Sequence, residues 1–183
     1  MKRLAMAVLL LAGFTSAQAA DVAVMPPVAT IDFCQRTPSL CSHYAPASAD
    51  ADQRSLIERI NARVNGSIVP TPDVSITGVH RDHWDLVMPM RGGDCEDYAL
   101  TKMFLLAWEG VPPGAMRIAI VHADWLSDDQ DHAILLVRID GVEYIADNRD
   151  ARLRRASDVS YRWLKTSREG DLYMWVALFG APQ

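Results

Sequence analysis

The stretch HAILLVRIDGVEYIAD, residues 132–147, constrains this chain more than any other. Two apolar runs rich in β-branched residues flank Asp140-Gly141, a dipeptide suited to the positive φ angles of a two-residue hairpin. That turn sets Ile139 against Val142, so Arg138 lies opposite Glu143, Leu136 opposite Ile145 and Ile134 opposite Asp147. The facing charges of Arg138 and Glu143 support this register. His132 then shares a face with Asp147 and sits diagonal to it, about 7–8 Å away along the backbone, a gap that an imidazole and a carboxylate can bridge. A further run, MRIAIVH at 116–122, also reads as a strand.

Upstream, RGGDCEDYAL places Asp94 one residue before a helix and Asp97 three residues later, in the capping-box arrangement. Leu100, Met103, Phe104, Ala107 and Trp108 form its apolar face, and Gly110, Pro112 and Pro113 stop it. Cys95 therefore takes the first helical position, where unpaired N–H groups and the helix dipole favour a thiolate. Asp94, Glu96 and Asp97 carry opposing charge but can be engaged in capping or by a cation, so they need not oppose the thiolate, and the net shift has no sign from sequence. An earlier helix opens at Asp50 and Asp52, carries Leu56, Ile57, Ile60 and Val64 on one stripe, and ends at Asn65-Gly66. Between the two, residues 67–93 hold prolines at 70, 72 and 89 and read as a long irregular segment of a kind that often carries function.

The first 20 residues have the three parts of a secretory signal: Lys2 and Arg3, an apolar run from Leu4 to Phe14, and A-Q-A at 17–19. Cleavage is expected after Ala19 or Ala20, giving a periplasmic or secreted protein with no later membrane span. Of 18 Lys and Arg, removal of Lys2 and Arg3 leaves 16 against 23 Asp and Glu, a net charge of −7. No basic cluster stands out, which argues against nucleic acid as a partner. Residues 21–48, rich in Ala, Pro and Ser, read as an extended lead segment, followed by one domain over 49–183. Export into an oxidising compartment makes Cys34 and Cys41, across the turn in FCQRTPSLC, a disulfide pair. Cys95 is left over, either as a buried inert thiol or as a reactive one. A zinc site fits poorly, because Cys34 and Cys41 lack the short spacing of zinc-binding cysteines and no second pair exists.

A nucleophilic thiol needs a base, and the base an orienting group. Cys95, His132 and Asp147 supply these in the chain order of a Cys-His-Asp triad, although any histidine beside an acid on a hairpin gives the same pattern. His80 and His83 read as loop histidines, and His122 as structural at a strand end. Asp128, Asp129 and Asp131 miss the spacing of a calcium loop and read as a solvated acidic loop. Trp84 on its own suits core packing.

GGDCEDYAL, HAILLV and YIADN, with INARVN, HWDLVMP and MWVALFG around them, resemble the bacterial transglutaminase-like cysteine proteinases, the LapG-like periplasmic thiol peptidases, over most of the chain. FCQRTPSLC is similar to the lead segment of many members. The resemblance implies an α+β, papain-like transglutaminase-core fold with the nucleophile helix packed on an antiparallel sheet. It implies Cys95 as nucleophile, His132 as general base then acid, Asp147 as orienting carboxylate, and Ca²⁺ on Asp94, Glu96 and Asp97. It also suggests Trp84 for an oxyanion hole or the cleft wall, with core packing an equal reading. No organic cofactor is expected. The expected partners are a protein substrate and an inner-membrane regulatory protein. The acidic DWLSDDQD loop and Asn148-Arg149-Asp150 depart from the family pattern and leave substrate preference open. So do two alternative readings, acyl transfer to an amine and a non-catalytic binding module.

Overall fold

The computed structural model describes residues 22–122 and 131–180. The expected signal segment and the Asp128 and Asp129 loop lie outside the described residues. Strand β4 (Met116–His122) pairs antiparallel with β5 (Asp131–Ile139), and β5 pairs with β6 (Val142–Ala146) in the register expected, from Leu135 with Ala146 to Ile139 with Val142. Asp140 and Gly141 take φ values of 47° and 77°, the two left-handed positions that a tight hairpin requires. The Arg138 guanidinium lies 3.0 Å from the Glu143 carboxylate.

The sheet is wider than those three strands. β8 (Arg162–Arg168) and β9 (Asp171–Ala177) extend it on one side, and the two-residue strands β1 (Ala23–Val24) and β7 (Arg154–Arg155) close its edges in the order β1-β9-β8-β4-β5-β6-β7, antiparallel throughout. Alternation along β5 splits the core. Ala133, Leu135 and Val137 face the helices, whereas Ile134 and Leu136 join Ala119, Val121, Ile145 and Trp163 beneath the opposite face.

Helix α3 (Arg54–Ser67), entered through a short 3₁₀ turn at Ala51–Gln53, runs past Asn65-Gly66 to Ser67, one turn-end later than expected. Its stripe of Ile57, Ile60 and Val64 is buried. Helix α5 (Cys95–Trp108) begins and ends where expected, but its buried face is rotated: Ala99, Leu100, Met103 and Leu106 are enclosed, Phe104 is half-buried and Trp108 is 80% exposed. A helix covered by a sheet on one side and by α3 on another buries more than one stripe, so a single-face reading misplaces its centre.

The lead segment also differs from the extended one expected. It carries helices α1 (Val28–Arg36) and α2 (Pro38–Cys41), joined by the Cys34–Cys41 disulfide with Cα atoms 5.6 Å apart. Phe33, Cys34 and Cys41 are fully buried in the same core as α3 and α5, so packing crosses residues 48–49 without a boundary. Backbone bonds from Tyr44 to Gly170, Ala47 to Gly114 and Ala49 to Arg138 tie the segment down. A Cβ on Gly114 would stand 1.9 Å from the Ala45 carbonyl oxygen, so that approach needs glycine.

The 67–93 segment is largely irregular, as expected, with a short helix α4 (Asp73–Thr77) and a parallel bridge between β2 (Val69–Pro70) and β3 (Gly92–Gly93) that closes it as a loop.

Candidate active site

The capping box at the start of α5 decides where the nucleophile candidate points. Asp94 is extended and accepts the Asp97 N–H, while the Asp97 carboxylate accepts the Asp94 N–H at 3.3 Å and the Asp85 N–H at 2.8 Å. Asp97 thus clamps the loop to the helix with both oxygens. Gly93 permits this, since a Cβ there would meet Asp97 Oδ2 at 2.9 Å. Cys95 follows as the first helical residue, half-buried in a cleft of about 260 Å³ whose walls include Asp82, Trp84, Asp131 and Lys165. Pro27, from the lead segment, forms part of the same wall.

Trp84 is both core and wall. Its ring meets Trp175 edge-on at 6.2 Å, and its indole N–H donates to Asp82 at 3.0 Å. Arg36 on α1 donates to the Trp84 carbonyl oxygen at 2.6 Å, and Arg81 pairs with Asp32, so α1 steadies the loop that shapes the cleft.

His132, at the start of β5, and Asp147, just past the end of β6, meet as their diagonal register allows. His132 Nε2 lies 2.9 Å from Asp147 Oδ1. The imidazole is almost fully buried, and among the described residues its Nδ1 has no hydrogen-bond partner. Asp147 also accepts the Arg149 N–H at 2.9 Å and the Tyr161 hydroxyl at 2.5 Å. Burial alone would raise its pKa, but the hydrogen bond and charge of His132, helped by Tyr161 and Arg149, hold it down to about 2.

Cys95 is tied to the residue next to His132 rather than to the imidazole. Its Sγ accepts the Ala133 N–H at 3.4 Å and donates to Glu96 Oε2 at 3.2 Å. Burial, and then the Glu96 charge, push this thiol well above its ordinary value, with the Ala133 N–H acting the other way. The opposition between helix start and carboxylates, unsigned from sequence, therefore resolves toward the protonated thiol in this arrangement.

The carboxylates themselves form a tight group. Oxygens of Asp73, Asp94 and Glu96 lie within 4.8 Å of one another. Burial, followed by Asp94 and Asp82, raises the Glu96 pKa far above a carboxylate's usual range; burial and Asp94 raise that of Asp73. Asp94 Oδ1 and Glu96 Oε1 are buried without a hydrogen-bond partner among the described residues. Crowded hard oxygens with unsatisfied lone pairs fit a Ca²⁺-type cation, which prefers such ligands. Asp94 and Glu96 belong to this group as expected. Asp97 does not, because backbone N–H groups occupy both its oxygens, and Asp73 from α4 stands there instead. Asp73 carries no metal signal in the sequence, being an isolated acid after a proline.

Two of the other histidines border this site without a side chain in the Cys95 cleft lining: the His83 amide donates to the Asp73 carboxylate, and His122 stands beside Asp131 of the cleft wall. His80 and His83 are exposed in the irregular loop, and His122 at the end of β4 lies 3.6 Å from Asp131. Tyr161, Lys102 and Lys165 were not singled out in the sequence: each lies in a strand-like or helical run with no local pattern beyond its periodicity.

A family model for the bacterial transglutaminase-like cysteine proteinases matches residues 20–182. Among solved structures, calcium-bound LapG of Legionella pneumophila is similar at 24% identity and a TM-score of 0.55, covering 80% of this chain and 76% of that one. The EGTA-treated form of that protein aligns at 24% identity and a TM-score of 0.53 over 77% of this chain and 72% of that one. A third structure of the same protein gives 25% identity and a TM-score of 0.50 over 70% and 66%. No curated protein matches.

Proposed function

The chain belongs to the bacterial transglutaminase-like cysteine proteinases, and on that premise we propose that it is an exported cysteine endopeptidase working through Cys95, His132 and Asp147. The observation that carries the reading is the buried His132–Asp147 pair. With Nε2 engaged by the carboxylate, the remaining nitrogen, Nδ1, is the one left to take a proton, and it has no other partner among the described residues.

In the proposed reaction the Cys95 thiol turns from Glu96 toward His132, which accepts its proton. The sulfur attacks the peptide carbonyl, and the Cys95 backbone N–H at the helix start holds the developing oxyanion. His132 returns the proton to the leaving amine, giving a thioester. It then deprotonates water, which attacks the thioester and releases the acid. Asp147 keeps the imidazole in the required tautomer and stabilises its charged form. Asp73, Asp94 and Glu96 would hold Ca²⁺, whose charge would offset theirs and ease formation of the adjacent thiolate. The substrate is a protein at the cell surface or in the periplasm, and an inner-membrane protein is the proposed regulatory partner. Among the described residues no helix is long and apolar enough to cross a membrane.

The test is labelling of Cys95 with iodoacetamide at neutral pH, followed by cleavage of cell-envelope protein extracts. Rapid alkylation that His132→Ala slows, with new cleavage products that Cys95→Ala does not form, is the expected result. Cleavage retained in Cys95→Ala would rule out the assignment. Adding a primary amine separates hydrolysis from acyl transfer, because only acyl transfer leaves the amine in the product.

A further inference from the structure

The Asp147 carboxylate is held from two directions, and the two holds differ in kind. Oδ1 receives His132 Nε2 and the Arg149 N–H, each at 2.9 Å. The Arg149 amide lies in the same turn as Asp147, two residues on, and moves with it. Oδ2 instead receives the Tyr161 hydroxyl at 2.5 Å, from a residue just before β8. The Tyr161 ring lies 6.4 Å from the His132 ring and meets Trp163 edge-on at 6.1 Å. One side chain therefore reaches both members of the pair, and its own ring is braced.

A carboxylate bonded through one oxygen can still turn about its Cβ–Cγ axis. Tying the second oxygen to an outside group removes that freedom and aims the carboxylate plane. We propose that Tyr161 is a positioning residue for the reaction: its hydroxyl locks the Asp147 carboxylate so that Oδ1 keeps hold of His132 Nε2–H and Nδ1 remains the proton-accepting nitrogen. The inference rests on the Cys95, His132 and Asp147 reading. Burial and the neighbouring Asp147 charge push the phenol well above its ordinary pKa, so it remains a donor at any working pH. A tyrosine placed for packing alone gains nothing by aiming its hydroxyl at the triad acid, since its half-buried ring already packs against the Trp163 cluster without it.

The experiment compares wild type, Tyr161→Phe, Asp147→Asn and the double variant in calcium-containing buffer. Two quantities are read: solvent exchange of the His132 Nε2–H proton, by NMR of ¹⁵N-histidine-labelled protein, and the rate of Cys95 alkylation by iodoacetamide. Phenylalanine keeps the ring, so the melting temperature should hold. The proton should exchange about tenfold faster and alkylation slow about tenfold, the effect of one hydrogen bond to a charged group. The double variant should match Asp147→Asn alone, because the hydroxyl acts through that carboxylate. An unchanged proton signal and rate in Tyr161→Phe overturns the inference, as does a double variant whose loss is the product of the two singles. Failure of the underlying triad looks different: His132→Ala would then be alkylated at the wild-type rate, which removes the premise and the inference with it.

Discussion

Lys102, fully buried in the middle of α5, donates a hydrogen bond from Nζ to the Ala146 carbonyl oxygen at 3.1 Å, joining the helix of Cys95 to the strand end that carries Asp147. The ammonium lies 5.9 Å from the centre of the Tyr98 ring. Burial lowers its pKa to about 7, against the attraction of Asp147. A lysine whose folded pKa is depressed destabilises the fold fully below that value and progressively less as pH rises toward its unfolded value. Stability from this group should therefore climb from about pH 7 to about 10.5. Lys102→Met should raise stability at neutral pH by ~1–2 kcal/mol, after the lost bond to Ala146, and flatten that climb. Urea melts at a series of pH values measure both, and a large loss of stability in Lys102→Met would mean that the bond outweighs the buried charge.

Asp147 works in the opposite sense. Its folded pKa of about 2 lies below the ordinary carboxylate value of 3.8, so its contribution is present above about pH 4 and is lost as pH falls through 2. Asp147→Asn should cost ~2 kcal/mol at neutral pH and remove that part of the acid dependence. Acid titration of both proteins by circular dichroism checks it; parallel curves would show that the carboxylate is not held as described.

Cys34 and Cys41 brace α1, and α1 braces Trp84 through Arg36. Replacing both cysteines by Ala should lower stability by at most ~2–3 kcal/mol, the scale for a short loop. Cys95 should also become more accessible to iodoacetamide as the cleft wall loosens. Intact mass should show two hydrogens fewer in the oxidised wild type than in the reduced protein.

Calorimetry should separate the carboxylates around Cys95. Chelator-stripped protein is expected to bind Ca²⁺ saturably. Asp73→Ala should weaken binding as much as Asp94→Ala or Glu96→Ala does. Asp97→Asn should leave binding nearly intact and cost ~1 kcal/mol of stability, as loss of a capping partner does. Equal loss of binding in Asp97→Asn and Asp73→Ala would return Asp97 to the metal site.

Everything legible in the sequence was encoded over a few residues. Asp140-Gly141 dictates a tight turn, the turn sets the register, and period-two alternation then puts His132 and Asp147 on one face, so that pairing could be counted out before any coordinates. The capping box of Asp94 and Asp97 likewise announces the helix start and the place of Cys95. The α+β fold is legible in the family motifs, and the structure bears it out.

The tertiary structure alone decided the rest, because it depends on chain closures with no local signature. Asp73 joins Asp94 and Glu96 only when the 67–93 loop closes through the β2–β3 bridge, and that closure leaves Asp97 to the backbone. Tyr161 reaches Asp147 because β8 pairs with β4, a contact between strands distant in sequence. The lead segment forms helices because Phe33, Cys34 and Cys41 find a core to enter, although its Ala, Pro and Ser composition reads as extended. Short-range periodicity and cap chemistry determine which elements form and which way their side chains face. Where those faces meet is set by burial among elements far apart in the chain, and only the assembled fold supplies it.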